Sequence, residues 1–297
     1  IEDIEVEKIN EPEVMNAPKR RSNIVKHIIQ NHHRKTHNKE FTAMFCVSDT
    51  DAAIAYYKLF KEAKEQGLHD LKIATIFTYA ANEEQKKNSN YSIEEDEFNI
   101  AAESDTPYLA KYKREELDDF IEDYNKMFQR NYSTKDSSLF YQYYNDIADK
   151  VKNKQIDILL VVNMFLTGFD SKTLNTLYVD KNLQYHGLIQ AFSRTNRILN
   201  EVKSHGNIVC YRNLKEATDK AIELFANKDA VGEITELPYE ALDEKLQEKY
   251  DALIAITPTV DSVNTLQNEE EQADFVKAFR EVMRLINKMK QYGDFNY

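Results

Sequence analysis

The run Ile156-Asp157-Ile158-Leu159-Leu160-Val161-Val162 limits the fold of this chain more than any other stretch. It is short for a core helix, rich in branched side chains, and does not alternate polar with apolar. Those properties suit a strand covered on both faces inside a parallel sheet. Thr167-Gly168-Phe169-Asp170 then interrupts the pattern. Gly168 permits a tight turn and close backbone approach, and Asp170 lies beyond the strand's carboxyl end, where open α/β sheets take their ligands.

A second apolar run over residues 174–179 predicts another strand. Residues 187–197 predict a helix with Leu188, Ala191, Phe192 and Thr195 near one face. Arg194 and Arg197 are three apart and project from a shared side of that helix. Two readings stand for the pair. Planar guanidinium donors match phosphate oxygens and stay protonated; alternatively, cations at a helix end complement its dipole in solvent.

The remaining pattern supplies the partners that such a strand needs. Ser22 is placed to cap a helix over residues 22–36, with Ile24, Val25, Ile28 and Ile29 as its apolar stripe. A strand is expected over 41–47, then the capping sequence Ser48-Asp49-Thr50-Asp51 and a helix over 52–66 that Gly67 ends. Further strands fall at 71–77 and 206–211, and further helices at 115–130 and 139–153. Strands alternating with helices in this way predict an α/β fold, a largely parallel sheet with helices on both faces. Beyond Asn213 the pattern turns helical. It includes an amphipathic helix over 275–290 with Phe275, Phe279, Val282, Met283 and Ile286 on one face.

Charge is unevenly spread. The formal net charge of −12 argues against a protein that coats nucleic acid generally, yet permits a local groove of phosphate ligands. Between Asn82 and Thr106 lie Glu83, Glu84, Glu94, Glu95, Asp96, Glu97, Glu103 and Asp105, which predicts a solvated surface insertion at about 80–112. No apolar run approaches the roughly 20 residues that span a bilayer. The acidic start Ile1-Glu2-Asp3 does not read as a signal peptide. Cys46 and Cys210 fall inside predicted strands and are expected to be small buried hydrophobes, in keeping with a reducing cytoplasm. The basic clusters Lys19-Arg20-Arg21 and His32-His33-Arg34-Lys35 read as surface. His33 and His37 have no Cys, Asp or Glu to complete a metal site, so no metal is expected.

At residues 163–170 the sequence resembles motif V of superfamily 2 helicases. Residues 190–197, where Gln190 is followed by Arg194 and Arg197, resemble motif VI. The whole run 157–211 resembles the R subunit, the motor subunit, of type I restriction enzymes. Weaker likeness extends upstream to Phe41 and downstream through residues 275–285. The resemblance implies a RecA-like lobe over residues 41–212, preceded by a linker and helix over 1–40 and followed by the start of a helical region over 213–297.

It also implies roles. Arg194 and Arg197 are expected to serve phosphoryl transfer, with Gly168 and Gln190 at the nucleotide cleft and Asp170 either near the ribose or orienting the arginine. Ser48, by likeness to motif IV, and Thr78, Asn163 and Thr167 near the same sheet edge are expected to face DNA. No G-x-x-x-x-G-K-[ST] loop occurs among these residues, and no Asp-Glu pair follows a predicted strand in the manner of a magnesium-binding motif. ATP and magnesium are therefore expected to be held mainly by a first lobe outside this sequence, and the chain alone is expected to lack ATPase and nuclease activity. The implied partners are double-stranded DNA and the methyltransferase and specificity subunits of the restriction complex.

Overall fold

A computed structural model describes residues 11–77, 107–166, 168–197, 203, 205–225, 239–266, 268–290, 292 and 295. Among them, strands β1 (Thr42–Val47), β2 (Ile73–Ile76), β3 (Ile158–Val161), β4 (Leu174–Asp180) and β5 (Asn207–Cys210) form one sheet in the order β2-β3-β1-β4-β5. Every neighbouring pair is parallel. Helices α1 (Glu11–Asn16) and α2 (Pro18–Lys35) precede β1, α3 (Thr50–Glu65) joins β1 to β2, and α4 (Pro107–Phe128) and α5 (Ser137–Lys152) precede β3. The helix α6 (Tyr185–Ser193) lies between β4 and β5. After the sheet come α7 (Lys215–Phe225), α8 (Tyr239–Ile256), a 3₁₀ turn (Val260–Thr265) and α9 (Glu269–Met289). The architecture is the expected α/β, RecA-like sheet with helices around it and a helical carboxyl-terminal region.

The central strands explain the apolar runs. Ala43, Met44, Phe45, Cys46 and Val47 of β1 are fully buried, as are Ile158, Leu159, Leu160 and Val161 of β3. A strand with helices over both faces has no solvent side to populate with polar residues. In β4 the buried polar side chains are satisfied instead: Asn175 Nδ2 and Thr176 Oγ1 donate to the Lys35 carbonyl at the end of α2, at 3.0 and 3.1 Å. Asn207 of β5 donates to the same oxygen at 3.1 Å. These bonds pin the end of α2 to β4 and β5, answering the carbonyls that a helix end leaves without partners.

Several expectations require correction. The second helix starts at Pro18, with Ala17 at its cap, so Ser22 lies inside it and caps nothing; a proline suits the first turn because its missing amide has no role there. Helix α4 begins at Pro107, earlier than the expected residue 115, and so takes in residues 107–112. The acidic stretch 82–106 lies outside the described residues. Cys46 is buried, but Cys210 is exposed, because β5 is an edge strand and Ile208 and Cys210 face outward from it. The basic clusters are not wholly superficial. His32 is completely buried, and Arg20 reaches inward to Asp180. Of the face expected on the last helix, Val282 is buried while Phe279 is exposed.

Candidate functional site

The parallel sheet brings the carboxyl ends of its strands to one edge, and two groups of expected residues meet there. After β3 the chain turns sharply. Phe165 and Gly168 take φ values of 66° and 68°. An L side chain in that region costs about 1–2 kcal/mol, so glycine suits position 168, and Phe165 is held there by packing. Its ring is buried, stacks on Tyr144 at 4.6 Å and meets Phe169 edge-on at 5.0 Å. With Phe165 and Phe169 inward, Asp170 is left exposed.

Helix α6 delivers the arginines to this turn. Leu188, Ala191 and Thr195 are buried, as their spacing predicted, and orient the helix end. The regular helix stops at Ser193, however; Arg194, Thr195 and Asn196 continue in a tighter turn whose amides bond three residues back. The two arginines therefore project from the unwinding end of a helix rather than from one of its sides. Arg194 Nη1 donates to the Phe169 carbonyl at 2.6 Å, and its Nε to the Gln190 carbonyl at 3.1 Å. Arg197 Nε donates to Asp170 Oδ1 at 3.0 Å, with both side chains well exposed. The third and fourth residues of the glycine turn, Phe169 and Asp170, are thus held by the two arginines, and Gln190 is exposed one turn away. Phosphate recognition needs such a layout: partly exposed guanidiniums, oriented by the backbone and by a carboxylate, with donor capacity still facing solvent.

Within the chain Gly168 makes no close approach, since an added Cβ would meet no protein atom within 4 Å. That role belongs to Gly206, where a Cβ would sit 2.6 Å from the Thr195 carbonyl oxygen. Lys203 also escaped the sequence reading. It is 1% exposed, and its Nζ donates to the carbonyl oxygens of Thr195, at 3.1 Å, and of Arg197. Burial lowers its pKa to about 8, against a raising influence from Asp170. Lys203 falls outside every helix and strand that the sequence pattern predicts, so nothing distinguishes it from a solvated lysine.

The second group lies at the ends of β1, β3 and β4. Asp49 caps α3 by accepting from the Ala52 amide at 2.8 Å, and Ser48 donates its hydroxyl to Asp49 at 2.7 Å. The Ser48 hydroxyl is thereby engaged in its own cap. Asn163 is exposed and accepts from Lys181, whose Nζ also donates to the Val162 carbonyl at 3.0 Å. Burial lowers the Lys181 pKa, while Cys46 and Asp49 pull it the other way. Lys181 is a further cation at this edge that sequence reasoning missed. Thr78 and Thr167 lie outside the described residues.

An all-parallel sheet whose strand ends gather a glycine turn and a guanidinium pair defines a RecA-like α/β domain. The model of the type I restriction enzyme subunit R domain 3 matches residues 39–213, and that of the type I restriction and modification enzyme subunit R C terminal matches residues 234–297. The chain belongs to the type I restriction enzyme R subunit family. It is 40% identical over 296 residues to a type I restriction enzyme endonuclease subunit of Staphylococcus aureus (strain COL), covering 98% of this chain and 30% of that protein. The corresponding subunit of Staphylococcus saprophyticus is 40% identical over 293 residues, with the same two coverages. A subunit from Haemophilus influenzae, named for the enzyme HindI, is 35% identical over 89 residues, 29% of this chain and 8% of that protein. The chain thus spans 30% of the length of each staphylococcal relative. Among the described residues no helix is long and apolar enough to cross a membrane.

Proposed function

We propose that this chain is the second motor lobe of an ATP-dependent, DNA-translocating restriction subunit, acting in the cytoplasm. The observation that carries the reading is the joining of Arg194 to Phe169 and of Arg197 to Asp170, which sets two arginines at the ligand-binding edge of a parallel sheet. Arg194 and Arg197 reach across a cleft to the terminal phosphates of ATP held by a preceding lobe. There they offset the charge that develops in phosphoryl transfer. Asp170 aims Arg197, and Gln190 donates at the same cleft. Ser48, Asn163 and Thr167, with Thr78, face the DNA, and movement of the 163–170 turn links nucleotide state to grip on the duplex.

The donor set suits phosphate and not a divalent cation, so magnesium and most of the nucleotide contacts fall to the other lobe. In this reading the isolated chain neither hydrolyses ATP nor cuts DNA. The full subunit works with methyltransferase and specificity subunits on double-stranded DNA.

The deciding experiment is Arg194→Ala in a full-length subunit carrying this sequence. DNA-stimulated ATPase should fall by about 10³-fold or more with folding intact, and Arg194→Lys should not restore it, because an ammonium lacks the planar fork. Near-normal ATPase in Arg194→Ala overturns the proposal.

A second role, partner docking, is favoured by α9. Phe275 and Phe279 stack at 5.9 Å, and Val276 and Phe279 are 47% and 45% exposed, an apolar surface on the helix beyond the lobe. Capture of a methyltransferase complex by residues 213–297 alone would favour docking as the chain's main role.

A further inference from the structure

A buried lysine is expensive to keep charged unless its ammonium has a task. Lys203 lies beyond the end of α6 and donates to two carbonyls of the segment that follows the helix, at Thr195 and Arg197. The residues it grips bracket Asn196 and include the backbone of Arg197 itself. Gly206 also lets the chain entering β5 press against Thr195, where any Cβ would collide. The segment that carries the arginine pair is thus held by two separate contacts. One of them is a positive charge at the helix's negative end.

We propose that Lys203 is a positioning residue of the motor: its buried ammonium fixes the backbone of residues 195–197 so that the Arg197 guanidinium stays in register with Asp170. This rests on the motor reading given above. Asp170 bears on both cations, by direct contact with Arg197 and by charge on Lys203. Loss of the ammonium frees two carbonyls, lets the turn rotate, and carries Arg197 away from its carboxylate. Arg194 keeps its own bond to the Phe169 carbonyl, so nucleotide binding is spared relative to turnover.

The test uses the full-length subunit in its assembled complex, with ATP and linear duplex DNA. Lys203→Met should lower kcat for ATP hydrolysis by ~10-fold or more while KM for ATP changes by less than ~3-fold, the pattern of an interaction realised in the transition state. Wild-type turnover should also show an alkaline limb near the lysine's pKa of about 8. Lys203→Arg, which stays charged, should retain most of kcat and move that limb upward. Wild-type kcat and an unmoved pH profile in both variants overturn the proposal. So does a Lys203→Met variant whose kcat and KM deteriorate together with its unfolding midpoint, since that marks a purely structural lysine. Arg194→Ala run in parallel separates the two claims. If it retains turnover, the motor reading itself fails; if it loses turnover while both Lys203 variants behave as wild type, only the role of Lys203 fails.

Discussion

Asp180, at the tip of β4, holds Arg20 of α2 in a two-pronged ion pair across 160 residues of sequence, with Nη2 to Oδ1 at 2.7 Å and Nη1 to Oδ2 at 3.0 Å. Arg212 adds a contact to Oδ1 at 3.0 Å, and the Tyr56 hydroxyl donates to Oδ2 at 2.6 Å. Burial opposes the charge on Asp180, but the hydrogen bonds from Arg20 and Tyr56 outweigh it, and the carboxyl titrates below its ordinary range. The network ties α2, α3 and the segment after β5 to one strand end, so the helix leading into the lobe is fastened to the edge that carries the site.

Removing the carboxylate leaves two guanidiniums partly buried without their counter-charge. Asp180→Ala should therefore destabilise the protein by about 3–5 kcal/mol, the range for breaking one side of a buried pair. Arg20→Met should cost less, because Arg212 and Tyr56 remain on the carboxylate. Urea midpoints at constant slope measure both, and equal small losses would show that the network adds little.

His32 gives the lobe an acid-sensitive spot. It is completely buried, neither ring nitrogen has a hydrogen-bond partner, and its ring lies 6.4 Å from that of Tyr178, whose hydroxyl is also unsatisfied. Burial first, then the charges of His33, Lys39 and His69, lower its pKa to about 3, with only Asp70 opposing. The unfolded chain accepts this proton below about pH 6.5, the native one not until about pH 3, so native stability falls as pH drops through that window. The slope from this group approaches about 1.4 kcal/mol per pH unit. Asp180 acts in the same direction only lower, where its depressed pKa is crossed. His32→Leu should remove the upper part of the slope and leave stability at pH 7 unchanged or raised. Denaturant titrations at pH 7 and pH 5 read the difference, and parallel losses in both proteins would exclude His32 as the cause.

Gly206 and Gly168 should respond differently to the same change. Gly206→Ala forces a Cβ into the Thr195 backbone, and overpacking of this kind costs about 1–3 kcal/mol or displaces the turn that bears Arg197. Gly168→Ala meets no atom within 4 Å and carries only the strain of its positive φ, about 1–2 kcal/mol. Thermal unfolding of the two variants should rank them in that order.

The sequence exposed whatever depends on local pattern. The strands at β1 and β3 were legible because a doubly covered strand must be apolar throughout, and Asp49 was legible because a cap acts within three residues. The pairing of Arg197 with Asp170 was anticipated only as one of two roles for the carboxylate, through the family likeness. What stayed hidden spans the chain or depends on depth. Arg20 and Asp180 stand 160 residues apart, and nothing nearby marks either as a partner. His32 sits in a basic cluster whose composition reads as surface, yet the helix turns that one ring toward β4. The end of α6 was misjudged for a related reason: the tighter turn that follows it is contacted by Lys203 and the Gly206 segment, which come later in the sequence.

The pair at the centre of the proposed site should separate stability from activity. Arg197 and Asp170 are 61% and 59% exposed, and an ion pair so accessible to water contributes at most about 1 kcal/mol. Arg197→Ala and Asp170→Asn should each leave the unfolding midpoint nearly unchanged. If the guanidinium faces a phosphate in the working subunit, Arg197→Ala should nonetheless lower ATP turnover by about 10²–10³-fold, as expected for loss of one aimed transition-state donor. Asp170→Asn should do less harm, since the amide still accepts from Nε while the charge that restrains Arg197 is gone. Exchanging the two residues should fail to restore turnover, because the pair then survives with the guanidinium on the wrong side of the turn. Recovery of activity in the exchanged protein would mean that the ion pair itself, and not the direction in which Arg197 points, is what the motor requires.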